Sequence, residues 1–539
     1  MLRSLFRKTD VTSIEGRSGS SWIISGAFVA CLVWSILMAS VGWNNTLSDQ
    51  HGFRQTQTAI TSYYLMLGGP FLSYETPVLG RPWSIPFEFP LYQGIVALAS
   101  TLFKTPLNQT GRFISEIFFY LSLLTFWFLL AELNIGPVYR LVFLSLALVS
   151  PQYVFWSRTF MIESTALFFC TGYLLFACRY ARNHSLFAVL LGAAFGAIGA
   201  LVKATTMLGF VVVAGVFSAY TLHNQSGPIR TSLSRNFIAF LFFVCLPVLA
   251  ALAWTHYADE VRSQNVIGIL TTSTALTEWT FGSFSQRSSS NTWKILFDRI
   301  IPDLLGGNVI LLLPLLGICF ARHRLFPFLT CILGFLSAFL IFTNLHVLHN
   351  YYAYANGIFL IAAVSCAVVG LLEQKNSAHL LGIVIFFVMI FVSVNGYYKG
   401  YSGVICTGIS CKSEYYTIQK NNASQLDNVA YTIKQMIPRE EIILVFGEEW
   451  SSELPYYSER RALMWPSWMP QDMDSPIMKE ALSKLSDTRV GALIVCNSAR
   501  ADYQLIKRAT AVLKVAVTPA YKDDVCSLYP RDGADKRER

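Results

Sequence analysis

The sequence predicts an α-helical polytopic membrane protein of about eleven transmembrane helices with an α/β domain at its C-terminal end. Three observations predict it. Of 539 residues, 54% are hydrophobic and only 14% are charged, against about 25% charged in an ordinary soluble domain. Mean hydropathy is +0.47. Charge is also unevenly placed: residues 401–539 hold 18 basic and 18 acidic residues, so the whole net charge of +9 belongs to the first 400. That excess lies between apolar runs, where it sets topology rather than binding nucleic acid. The 34 Gly and 20 Pro follow no period, which excludes a collagen-like chain, and so much apolar sequence excludes disorder.

A membrane helix needs about 20 mostly apolar residues. Such runs lie near 22–43, 113–131, 138–156, 164–178, 185–201, 204–222, 236–255, 305–320, 325–343, 353–372 and 379–397. The expected division is a cytoplasmic N-terminus (1–21), a membrane domain (22–398) and a domain on the outer face (399–539). With Arg3, Arg7, Lys8 and Arg17 inside, alternate loops bring Arg140, Arg179 and Arg182, Arg230 and Arg235, Arg322 and Arg324, and Lys375 to the same side, as the positive-inside rule requires. An odd number of spans then places the tail outside. Seven of the 11 cysteines sit inside apolar runs and read as small buried hydrophobes. The other four, Cys406, Cys411, Cys496 and Cys526, are disulfide candidates for an oxidising compartment.

The first outer loop, 44–112, is long. Within it Gln55–Leu67 and Leu91–Phe103 read as helices along the membrane interface, separated by a strap from Pro70 to Pro90 that is stiffened by five prolines. In the tail, Ala423–Ile437 and Ala499–Leu513 read as helices, and Glu441–Gly447, Ala492–Cys496 and Lys514–Thr518 as strands, a βα alternation that implies a parallel sheet. No GxGxxG or phosphate-loop pattern is present, so nucleotide chemistry is not expected of it.

Ionisable residues at the outer ends of spans mark the chemistry. SDQHGFRQTQTA holds Asp49, His51, Arg54 and Gln55. RPWSIPFEFPLYQ holds Arg81, Glu88, Tyr92 and Gln93. SPQYVFWSRTFMIES holds Arg158 and Glu163, and TNLHVLHNYYAYAN holds His346, His349, Tyr351 and Tyr352. Lys203 sits where two apolar runs meet. Each has a plainer reading. Asp49 suits a helix cap, Arg158 and Glu163 an ion pair, Lys203 a snorkelling cation, and the tyrosines an interfacial belt. His346 and His349 have metal-compatible spacing but lack a third ligand.

Taken together, these stretches resemble the GT-C superfamily of integral-membrane glycosyltransferases, in the branch of protein O-mannosyltransferases and lipid A aminoarabinose transferase. The likeness rests on an acid just after the first helix, FEFPLYQ, SPxxxxxSRxxxxE, LVKATT and, in the tail, LPYYSERRALMW. It implies an enzyme of the hexosyl- or pentosyltransferase class in the plasma (inner) membrane. Such an enzyme transfers sugar from a polyprenyl-phosphate donor to a glycan, lipid or protein hydroxyl on the outer face, with inversion. By motif, Asp49 and Glu163 take the places of the catalytic acids, Asp49 as general base. Arg54, Arg158 and Lys203 are the donor-phosphate candidates, with Glu88, His349 and Tyr352 as further substrate-binding positions. No cofactor is required and a divalent metal is optional. Two departures stand out: Gln50 follows Asp49 where many relatives have an acid pair, and the second acid is Glu rather than Asp. The rival readings are a transporter or flippase for lipid-linked glycans, expected to show broken helices, and a glycan polymerase or ligase on the same fold.

Overall fold

The computed structural model describes residues 18–48, 51–224, 237–375, 377–400 and 426–531. Asp49, Gln50, Cys406, Cys411 and the basic residues before Ser18 and at 230 and 235 lie outside the described residues. The chain forms two compact units: a helical unit (1–43, 112–253, 277–407) and an α/β unit (44–111, 254–276, 408–539).

In chain order the principal helices are α1 (Ser18–Ser40), α2 (Gly52–Met66), α3 (Leu91–Phe103), α4 (Leu107–Glu132), α5 (Pro137–Val149), α6 (Pro151–Trp156), α7 (Glu163–Asn183) and α8 (Leu186–Asn224). There follow α9 (Phe237–Arg262), α10 (Ser290–Leu305), α11 (Leu325–Ile341), α12 (Ala353–Leu372) and α13 (Ser377–Gly400). Among the described residues α1, α4, α8, α9, α11, α12 and α13 are long and apolar enough to cross a bilayer. An eighth span results if α10 and the 3₁₀ helix Val309–Phe320, bent by 75°, are one broken crossing. The chain is a multi-pass membrane protein.

Local chemistry explains why eleven apolar runs give fewer long helices. The run 138–156 breaks at Ser150–Pro151 into α5 and α6. Proline lacks the amide that would continue the helix and pushes Ser150 into extended backbone (φ −63, ψ 122). The runs 185–201 and 204–222 join as α8, with one extended residue, Lys203, at the junction (φ −161, ψ 93). α7 has the length, but Glu163, Arg179 and Arg182 lower its hydropathy. The centre of the helical unit is the span ending in α12, 89% buried against 22% for α13.

The broken crossing is held by specific contacts. α10 ends in Gly306 at φ +78, leaving its last carbonyls without intrahelical donors. The Ser150 hydroxyl donates to Leu304 O at 2.8 Å and the Ser393 hydroxyl to Leu305 O at 3.1 Å. α13 approaches so closely that a Cβ on Gly396 would lie 2.2 Å from the Gly306 Cα. With backbone on both sides, neither partner yields by a rotamer change. Gly396→Ala is therefore expected to cost about 3 kcal/mol, read as a lowered thermal midpoint in detergent. Gly26→Ala in α1, where nothing lies within 4 Å, should be neutral.

The α/β unit is built on a five-stranded sheet: β1 (Ile442–Phe446), β2 (Ala462–Trp465), β3 (Val490–Cys496), β4 (Tyr521–Lys522) and β5 (Cys526–Pro530), in the order β2-β1-β3-β5-β4. β2, β1 and β3 run parallel, whereas β3–β5 and β5–β4 are antiparallel. The sheet is therefore mixed, not parallel throughout. The strand expected at Lys514–Thr518 is a single bridge from Val515 to Arg531, and β2, only four residues long, was not expected. A helix runs over 426–436. The second tail helix starts at Tyr503, because Asp502 caps it by accepting the Leu505 amide at 2.9 Å.

The proline strap belongs to this sheet. Ala462 N donates to Pro77 O at 2.9 Å, Met464 N to Val78 O at 2.8 Å, and Gly80 N to Ala462 O at 3.1 Å. Residues 77–80 thus cover the outer edge of β2. The Asn265 side chain fastens the strap again, donating to the carbonyls of Leu79, Gly80 and Pro82 at 3.0–3.1 Å.

Cys496 and Cys526 face each other across β3 and β5 and are disulfide-bonded. Their separation of 30 residues sets the chain entropy that the bond removes from the unfolded state. Reduction should cost about 3–4 kcal/mol, measured as a reductant-dependent fall in the unfolding midpoint that Cys496→Ala/Cys526→Ala abolishes.

Candidate active site

In the helical unit the chemistry gathers at one end of the helices, from the C-terminal turn after α1, the first turns of α4 and α7, the junction in α8 and the entry to α12. Glu163 opens α7, where the positive end of the helix dipole favours a carboxylate. The interruption at Lys203 delivers its ammonium to Glu163 Oε1. Lys203 and Glu163 are 5% and 2% exposed, so the pair is desolvated and each charge depends on the other. The ion partner of Glu163 is thus Lys203 rather than Arg158, and Lys203 is buried rather than snorkelling.

The same ammonium lies 4.3 Å from the ring centre of Tyr352 and 5.1 Å from that of Tyr351, a cation–π arrangement. The two tyrosines stack at 4.8 Å, and His349 stacks on Tyr351 at 5.3 Å. Glu163 Oε2 and the hydroxyl of Thr165 are buried without a hydrogen-bond partner among the described residues, an incompletely satisfied polar set suited to a ligand. His346 faces Phe342 O through Nδ1 at 2.8 Å. Burial holds its imidazole down to about 4, so it stays neutral at physiological pH.

Arg158 is 1% exposed and donates to Gly42 O at 3.5 Å. Beside it Arg112, which the sequence reading passed over, donates to Trp43 O at 2.9 Å. Both cations meet the carbonyl end of the first span. Glu116, one turn along α4, lies within electrostatic reach of both arginines. Ser115 ties α4 to the Arg158–Glu163 loop by donating to Met161 O at 3.0 Å. The signal for Arg112 and Glu116 was their i, i+4 spacing at the start of an apolar run. Counting that run from 113 hid it.

The opposite end of the unit is different in kind. Glu132 takes Arg179 at 2.7 Å and Arg182, while Glu373 takes Arg324 at 2.9 Å and His323 at 3.1 Å. Arg179 and Arg182 come from the C-terminal end of α7, and the Arg324–Glu373 pair is largely buried, at 11% and 15% exposure.

In the α/β unit, Arg54 on α2 pairs with Glu88 and with Gln57. The Tyr74 hydroxyl donates to Glu88 O at 2.9 Å and accepts the Phe87 amide at 2.6 Å. Trp254 Nε1 donates to Phe87 O at 2.9 Å. The FEFPLYQ segment is thereby held rigid, and Arg54 and Glu88 neutralise each other. The residues before Asp49 are anchored too: the Tyr457 hydroxyl accepts the Leu47 amide at 2.5 Å. Ser48 donates to Asp427 at 3.5 Å, and burial pushes the Asp427 carboxyl up to about 6. Asp49 lies outside the described residues. No cluster of three or more His, Cys, Asp or Glu with metal-binding geometry occurs among the described residues, and His346 and His349 do not form one.

No protein-family model and no curated protein matches the chain. Solved structures do. ArnT from Cupriavidus metallidurans bound to undecaprenyl phosphate superposes with a TM-score of 0.60 and 12% identity, covering 97% of this chain and 100% of that one. The chain has the GT-C fold. Apo ArnT from the same organism gives a TM-score of 0.52 and 10% identity over 94% and 98% of the two chains. The GT-C likeness therefore extends over nearly the whole length, the α/β unit included.

Proposed function

We propose that this chain is a membrane glycosyltransferase that moves a sugar from a polyprenyl-phosphate donor to an acceptor hydroxyl on the non-cytosolic face. The observation that carries the reading is the buried Lys203–Glu163 pair under the Tyr351–Tyr352 rings, in a chain whose full-length structural neighbour ArnT binds undecaprenyl phosphate. In this reading the acceptor oxygen attacks the anomeric carbon and Asp49 takes its proton. The bond from that carbon to the phosphate oxygen breaks, and the electron pair leaves with the lipid phosphate. Lys203 and Arg158 stabilise the growing phosphate charge in a site shielded from water, and Arg54 is the candidate of the α/β unit for the same role. Glu163 holds Lys203 in place, and its second oxygen orients the acceptor or the sugar. Glu88 sets Arg54, while His349 and Tyr352 wall the site. Fixed cations suffice in principle to neutralise a single phosphate, so a divalent metal is optional rather than required.

The test gives purified protein a panel of polyprenyl-phosphate sugars with glycan, lipid and protein acceptors, and follows donor consumption. A panel left untouched under every condition sinks the reading. The proposed orientation, in the plasma membrane with the N-terminus cytoplasmic and the C-terminal domain outside, is tested separately. Val517 is 80% exposed, so Val517→Cys should react with a membrane-impermeant maleimide in intact cells. One observation favours a second reading, translocation of lipid-linked glycans: the 75° break in the crossing after α10 is a feature of transporters. Movement of intact donor across vesicles without transfer would support that reading instead.

A further inference from the structure

The end of the helical unit opposite Lys203 carries more positive charge than its acids balance. Glu373 matches Arg324, but Glu132, the last residue of α4, faces both Arg179 and Arg182. Arg140, in the first turn of α5, has no carboxylate partner among the described residues. Its Nε donates to Ile135 O at 2.7 Å, and its guanidinium carbon lies 4.8 Å from the centre of the Trp127 ring. Around the end of α4 three guanidiniums thus meet one carboxylate.

Orienting the chain in a membrane requires only that such charges lie on one side. It does not require that one of them be stacked and tied, and Arg140 is both. The turn from α4 to α5 is closed by Ile135 N donating to Leu130 O at 2.9 Å, with Asn134 in left-handed backbone (φ +57). Pro137 starts α5, and the turn presents Ile135 O to the Arg140 side chain. The guanidinium is therefore fixed, with its two terminal nitrogens unused among the described residues. The first turn of a helix is a poor place for a lone cation, because the amide end of the helix is itself positive. An anion there would be favoured by the helix end and the guanidinium together.

The surroundings say what kind of anion. On α4, Leu121, Leu124 and Phe128 are 37%, 52% and 50% exposed, at i, i+3 and i+7, one helix face. Trp127 lies one turn from Leu124 and beside Phe128. α4 is long and apolar enough to cross a bilayer, so this face meets acyl chains, and an indole where apolar surface gives way to charge marks the interface. A soluble anion makes no use of the apolar face; a phosphodiester carrying acyl chains uses both parts.

We propose that Arg140, Trp127 and the arginine pair on Glu132 form a headgroup site for an anionic phospholipid, with the phosphodiester at the Arg140 guanidinium and the acyl chains along Leu121, Leu124 and Phe128. A headgroup that carries its own ammonium cancels the attraction, so the site discriminates by charge. The site goes beyond sugar transfer and rests only on the chain spanning a membrane.

The test uses the full chain in detergent and three probes at equal concentration: phosphatidylglycerol, phosphatidylcholine and glycerol 3-phosphate. Bound probe is counted by native mass spectrometry and stabilisation is read by thermal shift. The unaltered protein should retain phosphatidylglycerol in preference to the other two. Arg140→Gln should weaken phosphatidylglycerol by about ten-fold and leave phosphatidylcholine unchanged. Trp127→Leu keeps every charge and removes the ring that holds the guanidinium, so it should weaken phosphatidylglycerol by about three-fold, and it keeps the question answerable if Arg140→Gln does not fold. Arg322→Gln removes an exposed cation from the turn before α11 and should change nothing. Equal retention of the two lipids by the unaltered protein, no weakening by either the Arg140 or the Trp127 change, or equal weakening by Arg322→Gln would each overturn the site in favour of diffuse charge. Glycerol phosphate binding as well as phosphatidylglycerol would overturn the lipid and leave a free-phosphate site. None of these outcomes involves donor consumption, so failure here leaves the transferase reading standing.

Discussion

Lys203→Met is expected to lower stability by about 3–5 kcal/mol and to abolish donor consumption. The two losses have different origins and are separable. Removing the ammonium leaves the Glu163 carboxylate charged, 2% exposed and without its ion partner. The tyrosine rings above would then present their negative faces to an anion. Glu163→Gln in the same chain removes that charge, so Lys203→Met/Glu163→Gln should recover most of the thermal midpoint. It should not recover turnover, because the cation proposed to stabilise the leaving phosphate is still missing. A double variant that regains both would make Lys203 a purely structural partner. The single Glu163→Gln change keeps the ammonium and should lower turnover more mildly. Thermal unfolding in detergent and donor consumption, measured on all three variants, separate the two effects.

Asp49→Asn should reduce turnover by about 10²–10⁴-fold, with the Michaelis constant for the donor and the unfolding midpoint unchanged. The amide has the shape of the carboxylate but cannot accept a proton from the attacking hydroxyl. The pH profile gives a second readout. A general base must be ionised to act, so the unaltered enzyme should lose activity on the acid side as Asp49 protonates. That limb should vanish from the residual activity of the variant. An Asp49→Asn protein as active as the original would remove the general base from the mechanism.

The positions of the chemistry were more legible in the sequence than its pairings. Lys203 stood out as a cation between two apolar runs, and it does mark the junction in α8. Glu163 stood out as an acid at the start of a span, and it does open α7. Their meeting could not be read, since it depends on how α7 and α8 pack, and neighbouring Arg158 offered an equally good partner along the chain. Arg112 and Glu116 were missed for a related reason: hydropathy windows trim charged residues from the ends of spans, where buried functional charges concentrate. Leu91–Phe103 was readable to the residue because proline precedes it and Lys104 stops it in left-handed backbone. The strand content of the tail was less readable. β2 is four residues long and fully buried, and a run that short is ambiguous between helix and strand. Its edge is covered by a segment from far earlier in the chain, a pairing with no local trace.

That covering segment constrains how such a protein can be rearranged. Residues 77–80 emerge from the ribosome long before β2, so the first loop must wait for nearly the whole polypeptide before it acquires its partner. Grafting the C-terminal domain of one relative onto the membrane region of another would separate strap from sheet, leaving a bare strand ready to pair with a second molecule. A working chimera has to exchange 44–111 and 426–531 together, as one inheritable part.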